Sequence, residues 1–382
     1  MDFSLTDEQR LLRDEIVRFS QQELTPGARQ RDERGEFSRA LWQRCVEMNL
    51  PGLPVSVEYG GGGLDPLSTA VAMEAFGYGC EDGGLVFSVC AHLLACVVPM
   101  WLHGNEEQKS RFLPRLCDGS WIAVNAMTEP GSGSDAFAMT TRADAVQDGF
   151  RLRGTKTFCS NAPVADLAVV YAVTDPEKGY YGGVTAFLVE AGTPGLEHGQ
   201  TFAKMGLCTS PIGELLLDDV LVPEENVLGK VGAGATIFVQ SMDWERTLIG
   251  ATHVGVMQRL LERSVEYARD RKVAGQPIGK FQAVSHRIAD MKVRLEAGRL
   301  LVYQAASRLG RSRDVAADAS TAKLFVSESL VQSALDSVRV LGGNGFMVEY
   351  DAERTLRDAV GGLLYSGTNE IQRNVIAGWL GL

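Results

Sequence analysis

Small and hydroxyl-bearing residues are concentrated at positions 126–135, in the run AMTEPGSGSD. Glycine lets a backbone approach a planar ligand closely, and Thr128 and Ser134 could add hydrogen bonds from their hydroxyl and amide groups. A Gly/Ser loop that only opens a β domain has the same composition. Taken alone, the run favours the loop.

Two further places carry side chains that could take part in acid–base chemistry. Glu245 stands between Trp244 and Arg246 and offers a carboxylate beside a guanidinium, although a plain ion pair near the start of a helix explains it equally well. Near the C-terminus, Ser366 precedes Gly367. A serine cannot remove a carbon-bound proton unaided, so this second place needs a base from elsewhere.

Other kinds of site are disfavoured. The glycines at 60–63 lack the preceding strand, the spacing and the lysine of a phosphate-binding loop, so a loop between helices is predicted. The five histidines show no metal-ligand spacing, and no metal site is expected. The seven cysteines form no C-x-x-C pair, which predicts free, mostly buried thiols in a reducing compartment.

Charge and hydropathy exclude several partners. A formal net charge of −11 argues against nucleic-acid binding, which needs a concentrated basic face. The first residues have neither a basic nor an apolar segment and do not read as a signal peptide. The apolar stretch at 84–102 contains Ser88, His92 and Pro99, and predicts a buried helix rather than a membrane span. We expect a cytoplasmic protein.

The elements that must position these residues fall into three regions. Thr6 and Gln9 predict a capping box at the start of a helical region of roughly 120 residues. Its first apolar face is predicted from Leu11, Leu12, Ile16, Val17 and Leu24. Short β-branched runs at 167–171, 184–189 and 215–222 then predict antiparallel strands. Helices return afterwards, with one buried stripe predicted from Val284, Ile288, Met291 and Leu295.

A second sequence segment, at 154–162, makes the interpretation of the first segment specific. Residues 126–135 and 154–162 (GTKTFCSNA) together resemble the two flavin-contacting segments of the acyl-CoA dehydrogenases, in the same order and at a similar separation. Residues 271–278 with Gln282 resemble the segment that reaches the FAD of a neighbouring subunit, and residues 341–346 and 365–373 complete the set. The match covers essentially the whole chain.

The resemblance implies the family's α+β multi-domain fold. We expect an N-terminal helical domain at 1–121, a middle antiparallel β domain at 122–234 and a C-terminal four-helix-bundle domain at 235–382. It also implies FAD as cofactor, in a homotetramer or dimer whose subunits share the FAD sites.

Roles for single residues follow from the same resemblance. Met127 and Thr128 would contact the flavin ring, with Phe158 against its face and Ser160 near N5. Gly133 and Ser134 would serve the ribityl and phosphate side, and Arg271 would pair with the pyrophosphate across a subunit interface. Gln282, Arg339, Gly342 and Gly343 would hold the cofactor from that side, and Thr368 and Glu370 would close over it.

Two positions depart from the family pattern. Ala274 stands where phenylalanine is usual, which removes a packing contact near the adenosine. Arg339 replaces the usual glutamine, and could either add a second cation for the pyrophosphate or pair with Asp336. His92 falls in the region that lines the family's acyl pocket, where a satisfied core histidine is favoured over a second acid–base group.

The position of the base is the main departure. Ser366 stands where most of the family carries the catalytic glutamate, whereas isovaleryl-type and long-chain members carry it at the place of Glu245. The resemblance therefore implies that Glu245 is the base, while Ser366 offers its main-chain amide to the thioester oxygen. The implied substrate positions are Ser134, Asp243, Arg246 and Gly367.

Three functions remain open. Residues 67–80, 84–88 and 241–246 resemble the bacterial natural-product enzymes that oxidise an L-prolyl group on a peptidyl carrier protein to pyrrolyl-2-carboxyl. That activity implies a carrier protein with a phosphopantetheine thioester as partner, with oxygen or an electron-transferring flavoprotein as acceptor. The alternatives are an isovaleryl or short-branched-chain acyl-CoA dehydrogenase, and a non-catalytic flavoprotein or scaffold subunit.

Overall fold

The computed structural model describes residues 4–311 and 315–382, which form helices, then a sheet, then helices again. The first helices are α1 (Asp7–Phe19), α2 (Ala28–Arg34), α3 (Arg39–Val46), α4 (Pro66–Gly79), α5 (Gly83–His92), α6 (Val98–His103) and α7 (Glu106–Cys117). The strands are β1 (Ala123–Ala126), β2 (Arg142–Val146), β3 (Gly149–Ser160), β4 (Leu167–Val173), β5 (Val184–Glu190), β6 (Leu196–Thr201), β7 (Ile212–Val222) and β8 (Val227–Leu228), with the single turn α8 (Tyr180–Gly183) between β4 and β5. The last elements are α9 (Gly234–Asp270), the short strands β9 (Lys272–Val273) and β10 (Gln276–Pro277), α10 (Gln282–Arg308), α11 (Val315–Leu341), α12 (Ala352–Gly361) and α13 (Asn369–Trp379).

The capping box at the start of α1 is confirmed, because the Thr6 and Gln9 side chains each accept from the other's backbone N–H. Ile16 and Leu24 are fully buried, as predicted for this face. The prediction for Leu11 was wrong, since 72% of this residue is exposed. The buried face follows Leu12 and Ile16, and Leu11 lies one helical step outside it.

The long apolar stretch is a core helix, as predicted. Residues Gly83–His103 would be long and apolar enough to cross a membrane, but 78% of their most apolar window is buried inside the protein. The stretch consists of α5, a five-residue π-helical turn and α6. Its contacts with β1 and α9 place it between the sheet and the C-terminal helices.

The sheet is mixed, which corrects the expectation of a purely antiparallel domain. The strands follow the order β6-β7-β3-β2-β4-β5-β8, and β1 pairs with β4 outside this path. The β1–β4 pairing is parallel, with Ala123 opposite Leu167. Parallel pairing needs a long connection, and β2 and β3 supply it because they lie between β1 and β4 in the chain.

The 37-residue helix α9 is the axis of the C-terminal region and packs against α4, α10 and α11. Its contact with α4 depends on two glycines. A Cβ at Gly77 would lie 2.1 Å from the Thr252 carbonyl oxygen, and one at Gly255 would lie 2.0 Å from the Glu74 carbonyl oxygen. The two helix backbones therefore approach as closely as glycine allows. The predicted fold class, with its order α, β, α, is confirmed.

The seven cysteines are free, and all except the half-buried Cys208 are buried, as predicted. Within residues 4–311 and 315–382, no group of three or more His, Cys, Asp or Glu side chains is placed to hold a metal ion.

Candidate active site

The predicted base, Glu245, and the residue at the vacated base position, Ser366, lie side by side. Glu245 projects from α9, and Ser366 lies in the turn before α13, where its Oγ donates a hydrogen bond of 2.6 Å to Glu245 Oε1. Only 8% of Glu245 is exposed, and burial raises the pKa of its carboxyl group. The Ser366 hydrogen bond and the nearby charges of Arg246 and Lys323 act in the opposite direction and lower it.

Buried donors hold the carbonyl groups of the Ser366–Gly367 turn. Arg246 Nε donates to the Ser366 carbonyl oxygen at 3.1 Å, and Lys323 Nζ donates to that of Gly367 at 2.9 Å. Gln372 Nε2 also donates to the Gly367 carbonyl oxygen, at 2.8 Å. Ser366 and Gly367 both have positive φ angles, +57° and +81°. In the described part of the chain, the Ser366 amide N–H meets no acceptor, so it can donate to a ligand.

Lys323 is a residue of this site that the sequence reasoning missed. It is 4% exposed, and besides Gly367 it contacts Asn369 Oδ1 at 2.8 Å, which also accepts from Ser327 Oγ at 3.0 Å. Burial, reinforced by Arg246, lowers the pKa of Lys323 to about 8. A signal existed, because Lys323 lies among the apolar positions of α11 that face the core, where an unpaired charge is costly.

Of the predicted substrate positions, Arg246 and Gly367 take part in the contacts of the Ser366–Gly367 turn. Asp243 lies three residues before Arg246 on α9. Asp243 is 7% exposed, and its Oδ1 has no hydrogen-bond partner among the described residues. Burial raises the pKa of Asp243 to about 6, against the lowering effect of Arg246. Ser134 is exposed on the loop after β1, and no hydrogen bond joins it to Glu245 in the described chain.

Two buried histidines have different surroundings. His92 accepts from the Ala123 amide at Nδ1 and donates from Nε2 to the Leu116 carbonyl oxygen, which confirms it as a satisfied core histidine. His253, which sequence reasoning did not select, lies 2.7 Å from the Tyr365 hydroxyl through Nε2. Burial lowers the pKa of each imidazole to about 3, so both are neutral.

The first two predicted flavin segments are joined by hydrogen bonds between β3 and the loop after β1. The Thr157 amide donates to the Thr128 carbonyl oxygen at 2.9 Å, and Lys156 Nζ donates to that of Met127 at 3.1 Å. Beside this contact Phe158 is 62% exposed, with a φ of +52°. The half-buried Ser160 ends β3, and Gly133 and Ser134 lie exposed on the facing loop.

A buried ion pair fixes this arrangement. Lys156 Nζ lies 2.9 Å from Glu129 Oε1, and both side chains are almost fully buried. Glu129 also accepts from the Thr140 and Thr141 amides, at 2.6 and 2.9 Å. Burial alone would raise the pKa of Glu129, but Lys156 and these hydrogen bonds outweigh it and lower the pKa to about 2. The pair thus joins β3 to both ends of the loop that carries Ser134.

The other predicted cofactor residues form a separate set. Arg271, Gln282, Arg339, Gly342 and Gly343 are all exposed. Their segments meet through a hydrogen bond of 3.0 Å from Asn344 Nδ2 to the Tyr267 hydroxyl and through a small apolar cluster. No hydrogen bond or ion pair between described residues links this set to the Thr128 and Phe158 loops. Within the described residues of one chain, the predicted cofactor residues therefore form two separate sets.

Within the described chain, Arg339 of this second set makes only one long contact with an acidic side chain. Arg339 reaches Asp336 only at 3.9 Å, while Arg287 and Arg294 contact that carboxylate at 2.6 and 2.5 Å. Ala274 has a φ of +49° and is exposed, so the position of the missing phenylalanine faces solvent in the single chain. Thr368 caps α13 by accepting from the Ile371 amide, and Glu370 is exposed beside it.

Comparison with known proteins agrees with this geometry. Models of the N-terminal, middle and C-terminal domains of acyl-CoA dehydrogenases match residues 6–120, 125–220 and 232–381. The chain is 41% identical over 382 residues to an L-prolyl-[peptidyl-carrier protein] dehydrogenase of Serratia sp. (strain ATCC 39006), covering 100% of this chain and 99% of the relative.

Solved structures also resemble this chain over essentially its whole length. The structure described as PigA with FAD and proline superposes with a TM-score of 0.97 at 41% identity, covering all of both chains. The prolyl acyl carrier protein oxidase AnaB superposes with a TM-score of 0.97 at 42% identity, covering 99% of this chain and 100% of its own.

The buried ion pair generates a stability prediction. Replacing Glu129 by glutamine should destabilise the protein by about 3–5 kcal/mol, because Lys156 stays buried without its counter-charge. Since the folded-state pKa of Glu129 is depressed, the pair's contribution should be complete above pH 4.5 and disappear as the pH falls toward 2. Urea unfolding of wild type and variant at several pH values measures both effects. The control is the double variant Glu129→Gln/Lys156→Met. Its loss in free energy of unfolding should be smaller than the summed losses of the two single variants. Full additivity would contradict the pairing.

Proposed function

The chain belongs to the acyl-CoA dehydrogenase family, and we propose that it oxidises an L-prolyl thioester on a peptidyl carrier protein to the pyrrolyl-2-carboxyl thioester. The observation that carries the chemistry is the hydrogen bond between Ser366 and Glu245, which places a buried carboxylate at the turn where most of the family has its own base. Full-length relatives and structural neighbours with prolyl-directed names support the substrate.

The enzyme is a FAD-dependent dehydrogenase, and its residues fit that cofactor. A Cβ at Gly131, Gly133, Gly342 or Gly343 would meet nothing within 4 Å, which leaves room for a ligand against the backbone of both halves. The exposed Phe158 offers an aromatic face to a planar ring, and the exposed Arg271 offers a bidentate partner for a pyrophosphate. When bound, FAD supplies the two-electron acceptor for each oxidation.

Glu245 is the base that takes the proton from the carbon next to the thioester carbonyl. Its burial raises the pKa, so the ionised carboxylate becomes a stronger base than one in water. The Ser366 hydroxyl keeps it oriented until substrate arrives. Arg246 and Lys323 oppose the effect of burial, because their positive charges favour the carboxylate over the acid and lower the pKa of Glu245.

The Ser366 amide stabilises the negative charge that develops on the thioester oxygen. The carbonyl groups of this turn already point toward Arg246, Lys323 and Gln372, and the amide has no protein acceptor in the described ranges. Such a preorganised donor is worth most in the transition state, where the oxygen carries most charge. A backbone amide serves equally with serine or glutamate as side chain.

Aromatic product requires two successive two-electron oxidations of the five-membered ring. Each removes one proton and one hydrogen with its electron pair, so four electrons leave in total. Since FAD would hold only one pair, oxygen or an electron-transferring flavoprotein would have to take the first pair before the second oxidation. The isovaleryl-CoA alternative needs one such step and shares the Glu245 position, so substrate tests separate the two. A non-catalytic role is disfavoured by the intact contacts around Glu245.

We expect that Ser366→Ala shifts the pH dependence of turnover. Loss of the hydroxyl removes one interaction that lowers the pKa of Glu245, so this pKa should rise further. Because the base acts in its ionised form, the acidic limb of kcat/KM should then move to higher pH. Flavin reduction rates measured from about pH 5 to about pH 9 would show this shift of the acidic limb.

Two variants control this measurement. Ser366→Gly also lacks the hydroxyl but relieves the positive φ, so it should show the same shift. Ser320→Ala removes a buried hydroxyl on α11 that has no partner among the described residues, and should leave the acidic limb in place. An unchanged limb in both Ser366 variants would argue against a functional hydrogen bond.

The substrate and the base are tested together. The bound flavin of the purified enzyme should be bleached by L-prolyl carrier protein. Glu245→Gln should slow this bleaching by about 10²–10⁴-fold, the usual contribution of a general base. Isovaleryl-CoA is the comparison substrate. Bleaching by isovaleryl-CoA alone would refute the prolyl assignment, and equal rates for wild type and Glu245→Gln would refute the role of Glu245. Mass spectrometry of the carrier should show the loss of four hydrogens.

A further inference from the structure

A buried histidine and the tyrosine before Ser366 form a hydrogen-bonded pair that the chemistry above does not use. His253 Nε2 and the Tyr365 hydroxyl lie 2.7 Å apart. We propose that the Tyr365 hydroxyl binds the ring nitrogen of the prolyl group and that His253 positions this hydroxyl. The inference rests on the prolyl substrate proposed above and deepens it, because it names the contact that separates a cyclic amine from a hydrocarbon acyl group.

Tyr365 lies close to the proposed base. Its neighbour Ser366 donates the hydroxyl hydrogen bond to Glu245. Burial raises the pKa of Tyr365 well above its usual value, and the neighbouring Cys90, Asp358 and Glu245 raise it further, so the phenol stays protonated. In a prolyl thioester the ring nitrogen is bonded to the carbon that loses its proton to Glu245. A hydroxyl near this carboxylate is therefore also near the nitrogen.

The ring of Tyr365 keeps accessible surface beside α5. Phe87 and Ala91, which lie one turn apart on α5, are half-buried, whereas the three residues between them are buried. Phe87 packs on Tyr365 with ring centroids 4.7 Å apart, and Tyr365 is half-buried as well. These side chains leave room between α5 and the turn before α13, where the acyl group of a thioester held at that turn would lie.

The fold holds both rings of the pair in place. His253 follows Arg246 by seven residues on α9, which is two turns along the same face, so this face contacts both Tyr365 and the residue after it. Two glycines at the end of α12 make room for the rings. A Cβ at Gly362 would lie 3.0 Å from His253 Cε1, and one at Gly361 would lie 3.2 Å from Tyr365 Cε1.

The Tyr365 hydroxyl has hydrogen-bonding capacity to spare. His253 is its only partner among the described residues, and burial lowers the pKa of this imidazole to about 3, so it is neutral. If Nε2 donates, the phenol hydrogen stays free, and if Nε2 accepts, a phenol lone pair stays free. A ring amine has an N–H donor and, when neutral, also a lone pair, so it can bind in both cases. A hydrocarbon acyl group would leave the hydroxyl unpaired.

The test measures binding without oxidation. L-prolyl and cyclopentanecarbonyl groups differ only by NH against CH₂ in the ring. Each is attached to the carrier protein through an amide in place of the thioester, so that the α-proton stays in place, and each Kd is measured at one pH. Tyr365→Phe, which loses only the hydroxyl, should raise the ratio of the prolyl Kd to the cyclopentanecarbonyl Kd about tenfold.

The positioning role of His253 has its own readouts. His253→Leu should raise the Kd ratio by a similar factor, because the hydroxyl is no longer held. His253→Gln can place an amide group where Nε2 lies and should restore most of the discrimination. In the Tyr365→Phe background, His253→Leu should leave the ratio where it is, since His253 acts only through the hydroxyl. A further rise there would contradict the positioning role.

Tyr303 provides a matched control on α10. It is half-buried like Tyr365, and its hydroxyl also has a single hydrogen-bond partner in the described chain, Glu74 at 2.8 Å. Tyr303→Phe should therefore leave the Kd ratio unchanged. Bound-flavin absorbance and thermal unfolding check that each variant folds.

Each outcome decides the proposal. An unchanged ratio in Tyr365→Phe would overturn the recognition of the nitrogen, and this variant alone decides that question if the His253 variants fail to fold. An unchanged ratio in a folded His253→Leu would overturn the positioning role. Failure of the proposed function would differ, because wild type would then not oxidise the prolyl thioester at all.

Discussion

The hydrogen bond from Ser366 Oγ to Glu245 Oε1 spans two elements that are 121 positions apart in the chain, and the geometry of the site depends on it. It requires α9 and the turn before α13 to be fixed relative to each other, which the packing of α9 and α13 on α11 achieves. Its acceptor is a carboxyl group that carries a negative charge when ionised, and this group is buried. Burial works against that charge, so the surrounding positive charges of Arg246 and Lys323 are part of the same constraint.

These two cations are held without direct carboxylate contacts at the turn. Both donate to main-chain carbonyl oxygens, Arg246 to Ser366 and Lys323 to Gly367. Neither cation makes an ion pair with a carboxylate in the described chain, so both charges act over a distance, on Glu245 and, for Arg246, also on Asp243. A buried lysine bound only to dipoles is unfavourable for folding, and the lowered pKa of Lys323 expresses that cost. The arrangement sacrifices some stability for an oriented electric field, as functional sites often do.

Most of the fold could be predicted from the sequence, but only part of the hydrogen-bond network around Glu245 could. Strand runs such as 184–189 and the capping residues Thr6 and Gln9 are local signals, and local signals predicted the order α, β, α. The parallel pairing of Ala123 with Leu167 depends on how distant strands assemble, which no periodicity encodes. Glu245 and Ser366 could be selected because motifs marked them. Lys323 and His253 sit inside helices between apolar neighbours, where only the tertiary structure reveals what each contacts.

The backbone of the turn shows how the side chain at 366 can change while the turn keeps its contacts. Three side chains hold the carbonyl groups at 366 and 367, and none of these contacts involves the side chain of residue 366. The position of the main-chain amide at 366 is thus independent of the side chain that this residue carries. Glu245 brings a carboxylate to this turn from the long helix α9. Serine at 366 is then small enough to make room for that carboxylate and polar enough to hold it.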